Sequence, residues 1–315
     1  MYILKDFQEK KVAELLNHTY EALAEAQRQI PILLEAPTGA GKTVMMAAYI
    51  ERLVTELPLR PGLPAEVAFV WFAPNTLHIQ SYESLTALYA DTQTLNCLDL
   101  GSLSTNPALA HRDLLFVNWS SVDSTKKIWR RDNEHSTNLE TLVENTRADG
   151  VEIILIIDEA HLSAFTGKQA VAVRQLIGAK LEISVTATPL TRPRLNVSIS
   201  RRQVVDEQMI KKGVRLNIGL DPEQQNGENV HMHLLRVAWA KKEELTRLYA
   251  EELGPNVINP LLLIQLPSDN ASLSADDVRV RDIVVALLES EFGITTQNGR
   301  LAIWLSGEKN KDGLE

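Results

Sequence analysis

Apolar residues in this chain fall into two alternating patterns, one with the period of a helix and one in short unbroken runs. Phe7, Val12, Leu15, Leu16 and Leu23 recur at helical spacing and predict an amphipathic helix over 6–27. The run Ile30-Pro31-Ile32-Leu33-Leu34 suits a buried strand, and Val44 to Ile50 suits a helix. Further strands are predicted at 66–73, 94–100, 113–118, 151–157 and 181–186, with helices at 76–90, 138–147 and 168–178 between them. The run from Val151 to Ile157 is apolar on both faces and β-branched, as expected of a central parallel strand. Alternation of this kind predicts an α/β fold with a parallel sheet covered by helices on both faces. The polar, charged stretch 120–137 breaks the rhythm and reads as a surface insertion.

The pattern changes after about residue 216. Residues 221–229 are polar and rich in turn formers. His231 and His233 alternate about Met232, so 231–253 reads as a strand followed by a helix. Residues 261–265 and 301–305 read as buried strands, with a helix near 276–291 between them. The expected organisation is therefore an α/β domain at 1–215, a connecting segment at 216–255 and part of a second domain at 256–315. One strand–helix–strand unit leaves apolar surface that further strands would cover.

Candidate chemistry begins where the strand at 30–34 meets the following helix. Residues 36 to 43 read Ala36-Pro37-Thr38-Gly39-Ala40-Gly41-Lys42-Thr43. Backbone N–H groups at a helix start are unpaired and point outward, and the helix dipole favours an anion. Gly39 and Gly41 permit backbone angles and close approaches that a side chain would block. Lys42 is placed to reach the β- and γ-phosphates of a nucleotide, and the Thr43 hydroxyl to ligate Mg²⁺. The usual pattern opens on Gly, and Ala36 stands there instead, a small change that leaves the cradle intact. The bland alternative is a glycine-rich turn that happens to end in Lys-Thr; the flanking strand and helix weigh against it.

The second motif follows the strand at 151–157. Asp158 emerges at the carboxyl edge of the sheet, where ligands of open α/β sheets bind. It is placed to hold Mg²⁺, with Glu159 to orient and polarise an attacking water. Alone, Asp158-Glu159-Ala160-His161 reads equally as a helix cap with a solvated acid; the phosphate loop tips the balance.

With both motifs in hand, the chain resembles the superfamily-two helicases and translocases, whose fold is RecA-like. Asp158-Glu159-Ala160-His161 resembles the DEAH box. Ser184-Val185-Thr186-Ala187-Thr188-Pro189 resembles the motif that links nucleotide state to nucleic-acid grip. The resemblance implies coupling roles for His161, Thr186 and Thr188, and adenine reading by Gln8 within Leu4-Lys5-Asp6-Phe7-Gln8. Trp71-Phe72-Ala73-Pro74-Asn75 is similar to the strand-end motif that touches the nucleic-acid backbone, which implies contacts from Pro74 and Asn75. A narrower resemblance, to the restriction (Res) subunit of type III restriction enzymes, rests also on Leu115-Phe116-Val117-Asn118-Trp119 and on 259–267. It adds Asn118 to the nucleic-acid contacts and implies a methyltransferase partner. Motors of this superfamily supply arginines from a second RecA-like domain, and Res subunits carry a nuclease domain further on. Neither feature is found up to Glu315, so the resemblance implies the amino-terminal part of a larger motor, weakly active alone.

Charge refines this picture. The formal balance is −9, which argues against a generally basic nucleic-acid binder. Yet Arg192, Arg194, Arg201, Arg202, Lys211, Lys212 and Arg215 stand against only Asp206 and Glu207, and such a stripe suffices for phosphate contacts, with Arg192 and Arg194 the nearest to the Thr186–Pro189 motif. A second cluster, Lys126, Lys127, Arg130 and Arg131 around Trp129, reads equally as a solvated face. The single cysteine, Cys97, cannot form an internal disulfide, which fits a reducing cytoplasm. The charged amino terminus is no signal peptide, and no apolar run approaches membrane-spanning length. Cys and His do not recur at zinc-ligand spacing.

The function expected is that of an Mg²⁺-dependent ATPase driving a DNA helicase or translocase. The alternative is an ATP-gated binding or signalling switch, which needs the same loop but no stepping. A GTPase is disfavoured because no Asn-Lys-x-Asp motif follows the DEAH box.

Overall fold

The structure, a computed structural model, describes residues 3–103, 106–119, 139–161, 168–213, 230–266 and 275–303. The stretch at 120–137, the basic cluster within it and the turn-rich 221–229 lie outside those residues. The chain divides into two compact units, one ending at Lys212 and one beginning at Gly213.

The first unit alternates helix and strand: α1 (Asp6–Ala24), β1 (Ile30–Glu35), α2 (Lys42–Glu56), β2 (Val67–Ala73), α3 (Leu77–Tyr89), β3 (Asn96–Leu98), β4 (Asp113–Asn118), α4 (Leu139–Ala148), β5 (Glu152–Asp158), α5 (Lys168–Ile177), β6 (Leu181–Thr186), β7 (Leu195–Ser198) and α6 (Arg201–Asp206). The seven strands form one sheet in the order β3-β4-β2-β5-β6-β1-β7, with every pairing parallel. This is the RecA-like α/β architecture expected.

Two apolar layers sandwich the sheet, and strand parity decides which side chain enters which. Phe69, Trp71, Ile154, Ile156 and Ile183 pack with α1, α2 and α3 on one face. Val70, Phe72, Ile153, Leu155 and Ile157 pack with α4 and α5 on the other. Asp158 comes two residues after Ile156 and so stands on the face that carries α2. Because β6 alone lies between β1 and β5, the turn after β1 and the turn after β5 open side by side at the carboxyl edge.

Two strands differ from expectation. β7 was legible only as part of a basic stretch, because its four residues, Leu195-Asn196-Val197-Ser198, are too few to show a period and sit among arginines and prolines. β3 covers three residues where seven were expected, because Asp99 ends it by accepting the Ser102 N–H in a tight turn. Pro31 is tolerated inside β1 because β7 pairs only from Ile32 onward, so the missing N–H meets no neighbour on that side.

The second unit contains α7 (Val230–Leu253) and α8 (Ala275–Phe292). Residues 231–253, expected as strand then helix, form helix throughout. Met232, Leu235 and Trp239 fall at helical spacing and pack with Val284, Leu287, Leu288 and Ile294, a signal that outweighs three alternating residues. Part of the expected connector therefore belongs to this small core. Residues 261–265, expected as a buried strand, are not part of a sheet. Leu262 and Ile264 face the core, while Leu261 and Leu263 are 87% and 83% exposed. Among the described residues this unit holds no strand element, and the expected strand at 301–305 is described only to residue 303.

At the amino edge of the first unit the Glu182 side chain, 3% exposed, accepts hydrogen bonds from Arg174 and Gln29. Removing the guanidinium leaves a buried carboxylate short of its counter-charge. Arg174→Ala is expected to cost about 3 kcal/mol in urea unfolding, and adding Glu182→Gln to recover most of it. An unchanged unfolding midpoint for the single variant contradicts this account of the edge.

Candidate nucleotide site

The phosphate loop is held from three sides. Ala36 is fully buried and donates its N–H to Thr186 O at 3.0 Å, which bolts the loop to β6 and leaves room for a methyl group but little more. Gly39 and Gly41 have φ of +85° and +80°, the left-handed region that favours glycine. A Cβ on Gly39 would lie 2.6 Å from Ile210 Cγ2, and one on Gly41 2.6 Å from Gln8 Nε2. The glycines thus admit neighbouring side chains as well as unusual angles. Gln8, buried in the first turn of α1, donates to Ala40 O at 2.9 Å and accepts from Lys5 N at 2.8 Å. One amide N–H and one lone pair of Gln8 remain, the complement of adenine N7 and N6 but not of guanine N7 and O6.

Lys42, the first residue of α2, folds back under the loop. Its Nζ donates to Ala36 O at 3.4 Å and stands 3.9 Å from Glu159 Oε1. That contact bridges the turns after β1 and β5 across the end of β6. Asp158 is half-buried beside it. Burial, then the Glu159 charge, push its carboxyl up to about 6, against the Glu159 N–H on Oδ1 (3.0 Å), the Lys42 charge and the Trp71 indole. The Trp71 indole N–H is itself buried without a partner at full hydrogen-bond geometry. Thr43 lies in the first turn of α2, on the same face and edge as Asp158.

Glu159 adopts φ of +50°, a strained conformation for a residue with a side chain. It turns the carboxylate between Lys42 and His161, whose Nδ1 is 3.2 Å from Glu159 Oε2 and 2.8 Å from Thr186 Oγ1. Thr186 Oγ1 also accepts from Thr188 N at 3.2 Å. A continuous polar path therefore runs Lys42–Glu159–His161–Thr186–Thr188, joining three motifs far apart in sequence.

The residues expected to touch nucleic acid separate into two groups. Asn75, with φ of +51°, follows Pro74 at the end of β2, and its carbonyl accepts from Asn118 Nδ2 at 2.9 Å at the end of β4. Arg192 instead grips Glu35 through two hydrogen bonds, at 2.9 and 2.7 Å, and holds that carboxyl below its usual range. Arg194 pairs with Glu21 and Glu25 at the end of α1. Both precede β7, five strand spacings or about 24 Å from β4. The structure does not bring these arginines to Asn75 and Asn118. Sequence reasoning missed Met209, Ile210 and the Trp71 indole; nothing but an apolar pair within a basic stretch marks the first two.

The family model described as "Type III restriction enzyme, res subunit" matches residues 1–191, more than half of the chain, and the chain belongs to that family. It is thereby a member of a family of nucleic-acid-dependent ATPase motors. Comparison with curated proteins finds no match. Among solved structures it is similar to the Sulfolobus solfataricus SWI2/SNF2 ATPase core in complex with dsDNA, at 17% identity, covering 60% of this chain and 33% of that one, with a TM-score of 0.40. It is also similar to S. cerevisiae Dbp5 bound to RNA and ADP BeF3, at 14% identity over 63% of this chain and 50% of that one, with a TM-score of 0.35. The Aeropyrum pernix ORC2 protein follows at 12% identity, 93% and 71% coverage and a TM-score of 0.30. The chain thus spans a third of the first of these and half of the second. Among the described residues no helix is long and apolar enough to cross a membrane.

The raised carboxyl of Asp158 has a measurable consequence. The folded chain holds that proton up to about pH 6, above the ordinary aspartate range, so stability falls as the pH rises through that window. Asp158→Asn removes the charge and keeps an oxygen for the Glu159 N–H. In buffer free of metal and nucleotide the variant is expected to melt higher than the parent at about pH 7.5, with the gap closing in more acid solution. A lower or equal melting temperature at the higher pH contradicts this.

Proposed function

We propose that the chain is an ATP-hydrolysing motor domain that moves a DNA-bound restriction-type enzyme along its track. The single observation that carries the reading is the Lys42–Glu159 contact at 3.9 Å, between the phosphate loop and the DEAH box. A triphosphate in the loop competes with Glu159 for Lys42 and releases the carboxylate to act on water. The loop N–H groups and Lys42 then hold the β- and γ-phosphates. Glu159 takes a proton from the water that attacks the γ-phosphorus, and the bond to the bridging oxygen breaks to give ADP and phosphate.

The residues present fit a divalent cation. Asp158 is a half-buried carboxylate lacking a full counter-charge, and Thr43, in the first turn of α2, stands on the same edge and face. Among the described residues no three His, Cys, Asp or Glu side chains gather as a cage, so such an ion would complete its shell with phosphate oxygens and water, as magnesium does. When bound, it would neutralise phosphate charge, with Thr43 and Asp158 as its protein ligands.

His161, bridging Glu159 and Thr186, supports a coupling role: loss of the γ-phosphate is reported to Thr188 through the path already traced. Asn75 and Asn118 support a nucleic-acid contact at the neighbouring strand ends. Membership of the Res family supports DNA as the track and a methyltransferase subunit as partner, and the single cysteine, Cys97, supports a reducing cytoplasm as the site of action. Residues 256–315 are proposed as part of a second motor domain. In motors of this class, arginines from that domain stabilise charge on the transferring phosphoryl group, so residues 1–315 alone should turn over ATP slowly.

Lys42→Ala is expected to abolish measurable ATP binding. Glu159→Gln should bind ATP at least as tightly as the parent, because the competitor for Lys42 is gone, and release phosphate at least about a hundredfold more slowly. Equal hydrolysis by Lys42→Ala and the parent contradicts the site. ATP-driven displacement of a DNA triplex supports the motor, whereas turnover without displacement supports the switch. Strong DNA-stimulated hydrolysis by residues 1–315 contradicts the proposed need for the second domain.

A further inference from the structure

Beside the phosphate loop a cleft of about 640 Å³ is lined by Arg201, Gln208, Met209, Ile210 and Lys211. Its wall stands directly against the loop. Ile210 Cγ2 occupies the space where Gly39 would carry a Cβ, and Met209 Cε lies 3.6 Å from the same point on Gly41, the glycine that also faces Gln8. The wall is fixed in place. Met209 N donates to Val204 O at 3.1 Å, and the Arg201 guanidinium donates to Lys211 O at 2.6 Å and Lys212 O at 3.2 Å. Lys5, beside Gln8 in the chain, approaches Glu207 at 3.6 Å.

The chemistry of this wall is out of place in a basic stretch. A thioether and a branched aliphatic side chain stay half-exposed, next to a loop built for phosphate and a carboxamide with spare hydrogen-bonding capacity. A nucleotide held by its phosphates at Gly39–Thr43 must carry its ribose and base out along one side of the loop. The Gln8 side offers an edge-reading amide, and Met209 and Ile210 offer a flat apolar face beside it. Methionine sulfur packs well against aromatic rings.

We propose that Met209 and Ile210 form the wall against which the purine ring of the bound nucleotide packs, with Arg201 as the residue that positions it. The proposal rests on the nucleotide-site reading and adds the determinant of base affinity to it. Phosphate binding belongs to the loop, the base edge to Gln8 and the base face to the segment after α6, so the contributions can be separated by substitution.

The test compares ATP, CTP and inorganic tripolyphosphate by calorimetric titration of the 315-residue chain. Met209→Gln keeps the size of the side chain and removes its apolar surface. It is expected to weaken ATP about tenfold, to leave tripolyphosphate affinity unchanged and to reduce the preference for ATP over CTP. Arg201→Ala should reproduce the loss of base preference, and Arg201→Lys should restore part of it. Parallel weakening of ATP and tripolyphosphate overturns the proposal in favour of a prop beneath the loop. Tighter binding of both overturns it in favour of a plug over the loop. A parent chain that binds none of the three removes the nucleotide site itself, and this proposal with it.

Discussion

An ammonium 3.9 Å from a carboxylate, Lys42 to Glu159, is the contact on which the first domain turns. The two residues are launched by different strands, β1 and β5, and meet because only β6 separates those strands. The parallel sheet forces both turns to the same edge, and strand parity puts Asp158 on the face that carries α2. Burial then does the electrostatic work. In a low-dielectric corner, Asp158 resists ionisation until a cation offsets it, while Glu159, bent into a left-handed conformation, is kept within reach of Lys42 and His161.

The same corner explains how chemistry can be felt at a distance. β6 is both the spacer between the two turns and the strand that carries Thr186. Ala36 hangs on the Thr186 carbonyl and His161 on its hydroxyl. One residue therefore touches the phosphate loop with its backbone and the DEAH box with its side chain. The proposed coupling of nucleotide state to 186–189 would run through this direct contact, with no intervening packing.

Much of this was legible in the sequence, and for identifiable reasons. The strands at 30–35, 67–73, 113–118, 152–158 and 181–186 are long apolar runs buried on both faces, and such runs declare themselves. The phosphate loop and the DEAH box announce their chemistry through spacing and flanking elements. What the sequence concealed was short or relational. β7 has too few residues to show a period. The helical face of α7 was masked by three alternating residues at its start, and 261–265 had the apolar content of a strand but not the partner. The arginines at 192 and 194 looked free because Glu35, Glu21 and Glu25, which hold them, lie some 160 residues away in the chain. Met209 and Ile210 carried no signal, since their importance comes only from standing over two glycines.

The central claim is that the turn after β1 and the turn after β5 share one divalent cation when a nucleotide is bound. Ferrous iron in place of magnesium, with a non-hydrolysable ATP analogue, hydrogen peroxide and a reductant to recycle the iron, generates radicals that cut the backbone beside the metal. The account predicts paired cuts next to Thr43 and next to Asp158, both lost on addition of excess magnesium. Cutting at one of these segments without the other, or at neither, would contradict it.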